Sequence, residues 1–299
     1  SILGSPKADT VWFGVDSVQE GAALRKLSRR VGIIVLGYTP NDHLVLAAKY
    51  ALRLTIYNRE TIRALSAIKT RSAIRVHVKV ETGTTRQGVG ERELLEFVKT
   101  IKRTPGILFE GLSTHYANIE DVDDPRYAML QRHRFEYAAA LLHRAGIRVP
   151  IKHTACTAAI LLFPETHCDL ARLGIGLYGL WPSPKLRDDG RTRGIHLRPA
   201  LVWKTIVAQI KSVPKGTPVG YGLTERVKRN SRIAVLPIGY WDGFDRGLSS
   251  IGEVLIRGKR CTILGRICMN MCMADVTDVP AARVEDEVVL IGENLGADE

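Results

Sequence analysis

The chain has 299 residues, of which 45% are hydrophobic, so it can bury a large core and exceeds the usual size of a single domain. Its 43 basic and 31 acidic residues give a formal net charge of +12. The basic residues are scattered along predicted helix faces, often beside acidic ones. We therefore expect solvated helix surfaces and no nucleic-acid partner.

The cysteines and the apolar runs exclude further classes of protein. The five cysteines are odd in number, and Cys268 and Cys272 have no nearby histidine or second cysteine pair. We therefore expect neither a disulfide framework nor a metal site, and a reducing compartment such as the cytoplasm. The first residues do not resemble a signal peptide, and no apolar run reaches the length of a membrane helix, so we expect no membrane partner.

Over the first two thirds, short apolar strands alternate with longer amphipathic stretches, as in successive βα units around a parallel sheet. The spacing predicts one helix over 17–30, with Ser17 and Glu20 at capping-box positions. It predicts another over 124–145, between Asp124-Pro125 and Gly146. The predicted strands are 11–15, 33–37, 52–57, 75–80, 108–115, 151–155 and 169–175.

Seven strands are one short of a closed parallel barrel, which takes eight strand and helix units. We therefore expect an α/β fold with a TIM-type (β/α)8 barrel that lacks its first unit, the absent unit lying upstream of Ser1. An open seven-stranded sheet is the alternative, although no Gly-rich dinucleotide-binding turn follows any predicted strand.

From about Leu201 the predicted strands follow one another closely, which indicates a second, mostly β domain. A hairpin turn is predicted at Gly258-Lys259. The stretch 183–198 has the composition of a linker or loop, so we place a partial barrel domain at 1–190 and a C-terminal β domain at 191–299. The predicted strands are 201–213, 232–238, 253–257, 260–264, 271–276 and 287–291.

In a barrel of this kind, functional side chains gather at the carboxyl ends of the strands. Thr157 and the backbone of residues 174–176 offer a hydroxyl and amide groups of the kind that bind phosphate. A single histidine or arginine is more often structural. The polar residues predicted at these strand ends are Lys79 with Arg86, Thr114 with His115, His153 with Thr157, and Arg172.

Six motifs occur in order along the chain. They are KVETGTTRQG at 79–88, EGLSTH at 110–115, RLGIGLYGLWPS at 172–183, VGYG at 219–222, PIGYWDG at 237–243 and GRICMNM at 265–271. Together they resemble alanine racemase, a pyridoxal phosphate enzyme of fold type III. The resemblance implies a barrel plus a β domain, pyridoxal 5'-phosphate as cofactor, a small amino acid as substrate, and a head-to-tail homodimer with shared active sites. It also implies supply of D-alanine for peptidoglycan.

The resemblance assigns roles to single residues. It makes Tyr221 the base for the L-enantiomer and His115 the neighbour that favours the tyrosine anion. It places Arg172 at the pyridine nitrogen, and Arg86 at the cofactor phenolate and the substrate. Lys79 matches a position that is carbamylated in some members and then orients Arg86. The remaining assigned residues are Thr157, Gly174 and Ile175 for the cofactor, and Tyr240 and Met269 for the substrate, reaching in from the partner subunit.

The chain also departs from the family pattern. The Schiff-base lysine motif at the end of the first barrel strand has no full match, and Lys7-Ala8-Asp9 matches only part of it. The family's carboxyl-terminal tyrosine would follow Glu299. We therefore expect the printed residues to be inactive without that lysine. A racemase for another small amino acid and a non-catalytic homologue that binds pyridoxal phosphate stay open as alternatives.

Overall fold

The computed structural model describes residues 11–28, 30–70 and 72–297, so the Lys7-Ala8-Asp9 fragment lies outside the described residues. The chain forms two compact units. The barrel unit comprises the described residues up to Gly174 together with Lys185–Ile195, and the β unit comprises Ile175–Pro184 together with the described residues from His196 onward. The predicted boundary between residues 190 and 191 stays a prediction.

The barrel unit is built on a six-stranded parallel sheet. Its strands follow the order of the chain without reversal, as in a half-barrel and unlike a doubly wound sheet. This confirms the predicted α/β architecture and six of its seven strands. The strands are β1 Trp12–Val15, β2 Gly32–Val35, β3 Arg53–Ile56, β4 Ile74–Lys79, β5 Ile107–Ser113 and β6 Ile151–His153.

The helices between these strands pack apolar side chains against the sheet, and further helices follow the last strand. In α4, the side chains Leu94, Phe97, Val98 and Ile101 are buried at helical spacing. The helices are α1 Val18–Leu27, α2 Leu44–Lys49, α3 Arg59–Ser66, α4 Glu91–Arg103, α5 Arg126–Arg144, α6 Thr157–Leu162 and α7 Pro184–Thr192.

Capping groups fix the ends of the two predicted helices. Ser17 Oγ accepts a hydrogen bond from the Glu20 amide (3.2 Å), and Glu20 Oε2 accepts one from the Asp16 amide (2.9 Å). The predicted helix over 17–30 therefore begins at its expected cap, although it ends at Leu27. Helix α5 ends just before Gly146, whose φ of +70° is typical of a helix stop.

Two expectations for this part of the chain are wrong. Residues 169–175 form no strand. Asp169 and Leu170 both donate to the Lys152 carbonyl (3.0 and 3.2 Å), whereas Arg172 donates to the Ala155 carbonyl (3.0 Å) and Gly174 to Thr157 Oγ1 (3.1 Å). A strand ladder would need one regular bonding pattern to repeat along the segment. The stretch 183–198 is not all linker, since it contains α7.

The β unit contains three antiparallel sheets, with strand orders β10-β9, β14-β11-β8 and β13-β12-β15-β7. Their strands are β7 Trp203–Ile206, β8 Gln209–Val213, β9 Pro218–Val219, β10 Glu225–Arg226, β11 Ser231–Leu236, β12 Glu253–Ile256, β13 Lys259–Thr262, β14 Cys272–Asp275 and β15 Glu287–Ile291. The predicted single strand 201–213 is two strands, because the chain changes sheet at Val207, which donates to Asp286, and Ala208, which donates to Val235.

The hairpin turn between β12 and β13 consists of Arg257 and Gly258, both with positive φ, one residue earlier than predicted. Among the described residues, no helix is both long and apolar enough to cross a membrane.

Candidate functional site

A cavity of about 360 Å³ lies in the barrel unit where the strands end. It is rich in cationic groups, and Asp16 is the one acidic residue among the described residues that line it. The lining includes Thr55, Lys79, Arg86, His115, His153 and Arg172. A cavity with this balance of charge favours an anionic ligand.

Arg172 is held by protein acceptors on most of its guanidinium. Nη1 donates to the carbonyl of His153 (2.9 Å) and lies 2.7 Å from His153 Nδ1. Nη2 donates to the carbonyls of Thr114 (2.8 Å) and Thr154 (2.9 Å). Burial lowers the pKa of Arg172 to about 10, so the group stays a cation at neutral pH. It can therefore only donate hydrogen bonds.

His115 stands beside this arginine, with Nδ1 3.4 Å from Arg172 Nη2. Burial and then the positive charges of Arg172, Lys79 and Arg86 lower the pKa of His115 to about 4. The imidazole is therefore neutral at physiological pH. Because an arginine N–H faces Nδ1, that nitrogen accepts and Nε2 carries the proton.

Lys79 ends β4 inside the same cavity. Its pKa is lowered to about 8, first by burial and then by Arg86 and Arg172. Its Nζ lies 3.4 Å from Gln87 Oε1. A substantial fraction of Lys79 is consequently a neutral amine near pH 8.

The loop that carries Arg86 is shaped by its own acidic residue. Glu81 accepts hydrogen bonds from the Gly83 amide (2.5 Å) and the Arg86 amide (3.3 Å). Although burial acts to raise it, these backbone bonds lower the pKa of Glu81. Thr85 has a φ of +52°, a backbone conformation that is strained in any residue other than glycine. The Glu81 carboxylate therefore stabilises the loop that carries Arg86.

Gln131 of α5 joins this loop to the segment that carries His115. Its side chain is fully buried. Oε1 accepts from the Ala117 amide (2.8 Å), and Nε2 lies near the His115 carbonyl (3.1 Å), Thr82 Oγ1 (3.1 Å) and Thr84 Oγ1 (3.3 Å). One amide group therefore positions the backbone of two predicted site segments.

Thr157 and Gly174, the predicted phosphate contacts in the barrel unit, lie together. The Gly174 amide donates to Thr157 Oγ1 (3.1 Å), and a Cβ at Gly174 would lie 3.7 Å from that oxygen. Gly174 is exposed, so a ligand can approach its backbone. Ile175, the third predicted contact, begins a short 3-10 helix in the β unit and is 46% exposed.

In the β unit, the three motifs with Tyr221, Tyr240 and Met269 pack against one another. The Tyr240 amide donates to the Cys268 carbonyl (3.1 Å), and the Trp241 amide donates to that of Met269 (3.0 Å). A Cβ at Gly265 would lie 2.5 Å from the Val219 carbonyl oxygen, so this approach requires glycine. The side chains of Tyr221, Tyr240 and Met269 are all exposed.

The family models match both parts of the chain. The alanine racemase N-terminal domain matches residues 5–182, and the C-terminal domain matches residues 200–299. The chain belongs to the alanine racemase family. An alanine racemase from Desulfovibrio desulfuricans is 42% identical over 291 residues, covering 96% of this chain and 77% of that protein.

Solved structures agree. The alanine racemase of Clostridium difficile 630 has a TM-score of 0.84 and 33% identity, covering 98% of this chain and 75% of that one. The same enzyme in complex with cycloserine has a TM-score of 0.82 and 31% identity, covering 96% and 74%. Members of this family are pyridoxal phosphate-dependent isomerases.

The residues present fit an anionic, aromatic cofactor of that type. Arg172, Arg86 and Lys79 supply positive charge, and Thr55 Oγ1 is buried at the cavity with no hydrogen-bond partner among the described residues. Such an orphaned hydroxyl is typical of a site that receives a polar ligand. Among these same residues, no cluster of three or more potential metal ligands is present.

The motif-based prediction assigned no role to two residues that are linked to Arg172 through the side chain of His153. His77 and Glu110 lie in β4 and β5, and His77 contacts His153. The available signal was the buried polar residue between apolar neighbours in Val76-His77-Val78, whereas Glu110 is only partly buried.

Proposed function

We propose that this protein interconverts L-alanine and D-alanine with pyridoxal 5'-phosphate as its cofactor. The observation that carries the proposal is the donor-only Arg172, fixed at the carboxyl ends of parallel strands in a cationic cavity, within a chain that matches both alanine racemase domains. The cycloserine complex of the Clostridium difficile enzyme supports a small amino acid as the substrate.

The chain offers contacts for each polar part of the cofactor. Arg172 would donate to the pyridine nitrogen, and Arg86 would contact the phenolate oxygen. Thr157, Gly174 and Ile175 would hold the phosphate, since a hydroxyl and backbone amide groups suit it. Bound pyridoxal phosphate supplies an electron sink that makes the Cα proton of an amino acid acidic.

Racemisation needs one base on each side of Cα, because a proton leaves one face and another returns to the opposite face. We assign the L-side base to Tyr221. A free tyrosine titrates near about 10, so its anion needs a hydrogen-bond donor or a positive charge nearby. Neutral His115 can supply the donor from Nε2, while Arg172 keeps Nδ1 occupied.

The partner-dependent part of the proposal rests on the β unit. Tyr240 and Met269, with Tyr221, would enter the site of a second subunit in a homodimer and limit the size of the substrate. The exposure of Tyr221 (70%), Trp241 (71%) and Met269 (47%) supports this, since exposed aromatic residues and methionine are enriched at interfaces.

We further propose a cytoplasmic location, in keeping with the five free thiols, and a role in supplying D-alanine for peptidoglycan.

The test is a racemisation assay on the full-length gene product with pyridoxal phosphate, followed by proton exchange at Cα in deuterium oxide. We expect D-alanine from L-alanine. In Tyr221→Phe, exchange from L-alanine should fall roughly 10²–10⁴-fold and exchange from D-alanine far less. The matched control is Tyr137→Phe, an exposed tyrosine of α5, which should behave as wild type. Equal losses for both enantiomers would count against the assignment.

A further inference from the structure

A continuous hydrogen-bonded chain connects Arg172 to the carboxylate of Glu110. His153 Nδ1 lies 2.7 Å from Arg172 Nη1, and His153 Nε2 lies 2.8 Å from His77 Nδ1. His77 Nε2 in turn lies 3.1 Å from Glu110 Oε2. Both imidazoles are buried, with exposures of 0% for His77 and 1% for His153.

The chemistry of the end groups fixes the direction of every bond in this chain. Arg172 can only donate, so His153 Nδ1 accepts and its Nε2 carries the proton. His153 Nε2–H then donates to His77 Nδ1, which leaves the His77 proton on Nε2, facing Glu110. The reverse direction would set an arginine N–H against an imidazole N–H at 2.7 Å, which is repulsive.

The charge state of each member agrees with this direction. Burial, as the largest cause, lowers the pKa of both His77 and His153, so both are neutral at physiological pH. Although burial acts to raise it, hydrogen bonds from His77 and Arg53 lower the pKa of Glu110, which is therefore an anion. Arg53 Nε binds Glu110 Oε2 at 2.6 Å and so holds the carboxylate in place.

The surrounding backbone makes room for this chain. A Cβ at Gly111 would lie 2.3 Å from His77 Nδ1, so any larger residue at position 111 would push the imidazole away from His153. The ring of Trp12 covers His77 edge-on, with centroids 5.9 Å apart. The central imidazole of the chain, that of His77, is thus held in place by strand register and by packing.

We propose that Glu110, His77 and His153 form a one-way donor relay that positions Arg172 for the cofactor, with Glu110 and His77 acting as positioning residues that touch neither cofactor nor substrate. The relay uses one Arg172 N–H, and carbonyls accept from three others, one of which, on Nη2, is shared with His115 Nδ1 (3.4 Å). Among the described residues, the Nε–H of Arg172 has no acceptor. The relay therefore leaves Nε as the donor offered to a ligand. The inference rests on the proposed function for its cofactor.

The relay is tested by ¹⁵N NMR of the full-length protein labelled at histidine, near pH 7.5, with the ring signals assigned by single substitutions. We expect His153 and His77 each to carry one proton, on Nε2, and a bare Nδ1. A proton on Nδ1 of either ring, or a doubly protonated ring, would overturn the relay. This measurement needs no substituted protein to fold, except for assignment.

A pair of variants separates the relay from simple packing. His77→Asn keeps an oxygen near the Nδ1 position to accept from His153, whereas His77→Leu removes the acceptor. We expect His77→Leu alone to change the His153 ring signals, with cofactor binding roughly 10- to 100-fold weaker, as for outer-shell partners of other ligands. Identical signals in the two variants would contradict the relay.

The matched control is Arg75→Ala, which removes a half-exposed ion-pair partner of Glu110 (3.3 Å) and leaves Arg53 and His77 in place. It should leave both tautomers and cofactor affinity unchanged, and a shift of either tautomer would contradict the relay. The two proposals fail separately. A wild-type protein without racemase activity refutes the proposed function, while the histidine tautomers alone decide the relay.

Discussion

Lys79 and His115 share a cavity with two arginines, and this environment lowers the pKa of both side chains. The shifts have the same cause, since burial and neighbouring cations both disfavour a further positive charge. The consequences differ. His115 becomes a neutral donor at any physiological pH, whereas Lys79, with a pKa of about 8, titrates close to it.

A neutral amine is what carbon dioxide requires to form a carbamate, so Lys79 is suited to the carbamylation that its family position implies. At pH 8 about half of the Lys79 side chains are neutral, against about 0.4% for an ordinary lysine. With ¹³C-bicarbonate, we expect a carbamate signal in ¹³C NMR that grows as the pH rises and levels off above about 8.

Lys79→Arg is the control for this prediction, because a guanidinium stays protonated and should give no such signal. A signal in the wild type that still grows beyond pH 9 would come from ordinary surface lysines. That outcome, or no signal, would show that Lys79 is not the reacting group.

Single site residues could be predicted from the sequence where they belong to a motif. Arg86, His115 and Arg172 could be named from their motifs, and the structure places all three at one cavity. His77 and Glu110 could not be paired in advance, because their contact depends on the register of β4 against β5 and on the space left by Gly111. Neither is encoded in local spacing.

At the scale of elements, helix α5 acts as the support for two loops through Gln131. In Gln131→Leu, the Ala117 amide would lose its acceptor, and the hydroxyls of Thr82 and Thr84 would lose a donor. A buried group without a partner costs about 1–3 kcal/mol. We expect the free energy of unfolding to fall by roughly 2–4 kcal/mol, measured by urea denaturation, and kcat to fall because the loops of Arg86 and His115 lose a common anchor.

Arg132→Ala, the neighbouring position on α5, is the matched control. It removes an exposed ion pair with Glu136, which should change the free energy of unfolding by less than about 0.5 kcal/mol. If Gln131→Leu were as mild as this control, the bonds of Gln131 would not hold the two loops.

Two glycines of the β unit allow the cost of backbone strain to be measured apart from the cost of a steric clash. Gly258 and Gly265 both have positive φ (+73° and +67°), but a Cβ at Gly258 meets nothing within 4 Å. Gly258→Ala should therefore cost about 1–2 kcal/mol from backbone strain alone. Gly265→Ala should cost clearly more, since it also drives a methyl group against the Val219 carbonyl oxygen.

Urea denaturation of the two alanine variants provides the comparison. Equal losses would mean that the backbone near Val219 moves aside without cost. A larger loss in Gly265→Ala would show that the segments carrying Tyr221 and Met269 are held together by this close approach.

Element positions were predictable where periodicity and caps agreed, as for α1 with Ser17 and for the six strands of the barrel unit. Element positions were not predictable where hydrogen bonds to distant parts of the chain determine the local structure. The segment 169–175 has strand-like composition, yet Asp169 Oδ2 accepts from the Lys152 amide (2.8 Å) and thereby uses the donor that would begin a ladder. The helix α7 is polar, so its composition is that of a loop.

For the whole molecule, the central question is whether each active site draws on one chain or two. The barrel unit supplies Arg172 and Arg86, and the β unit exposes the side chains of Tyr221, Trp241 and Met271 (70%, 71% and 53%). An apolar surface of this kind is expected to be covered in a dimer. If the sites are shared, a defect in the barrel of one subunit and a defect in Tyr221 of its partner fall in the same site.

Mixing two inactive variants then tests the arrangement. When Arg172→Ala and Tyr221→Phe subunits exchange at equal amounts, about half of the dimers are mixed and each contains one intact site, so racemase activity should recover to about a quarter of wild type. Mixing Arg172→Ala with Arg86→Ala is the control, since both defects lie in the barrel and every site keeps one of them. Size-exclusion chromatography with light scattering verifies the dimer. Activity that stays absent in the first mixture, despite subunit exchange, would place Tyr221 and Arg172 of the same chain in one site.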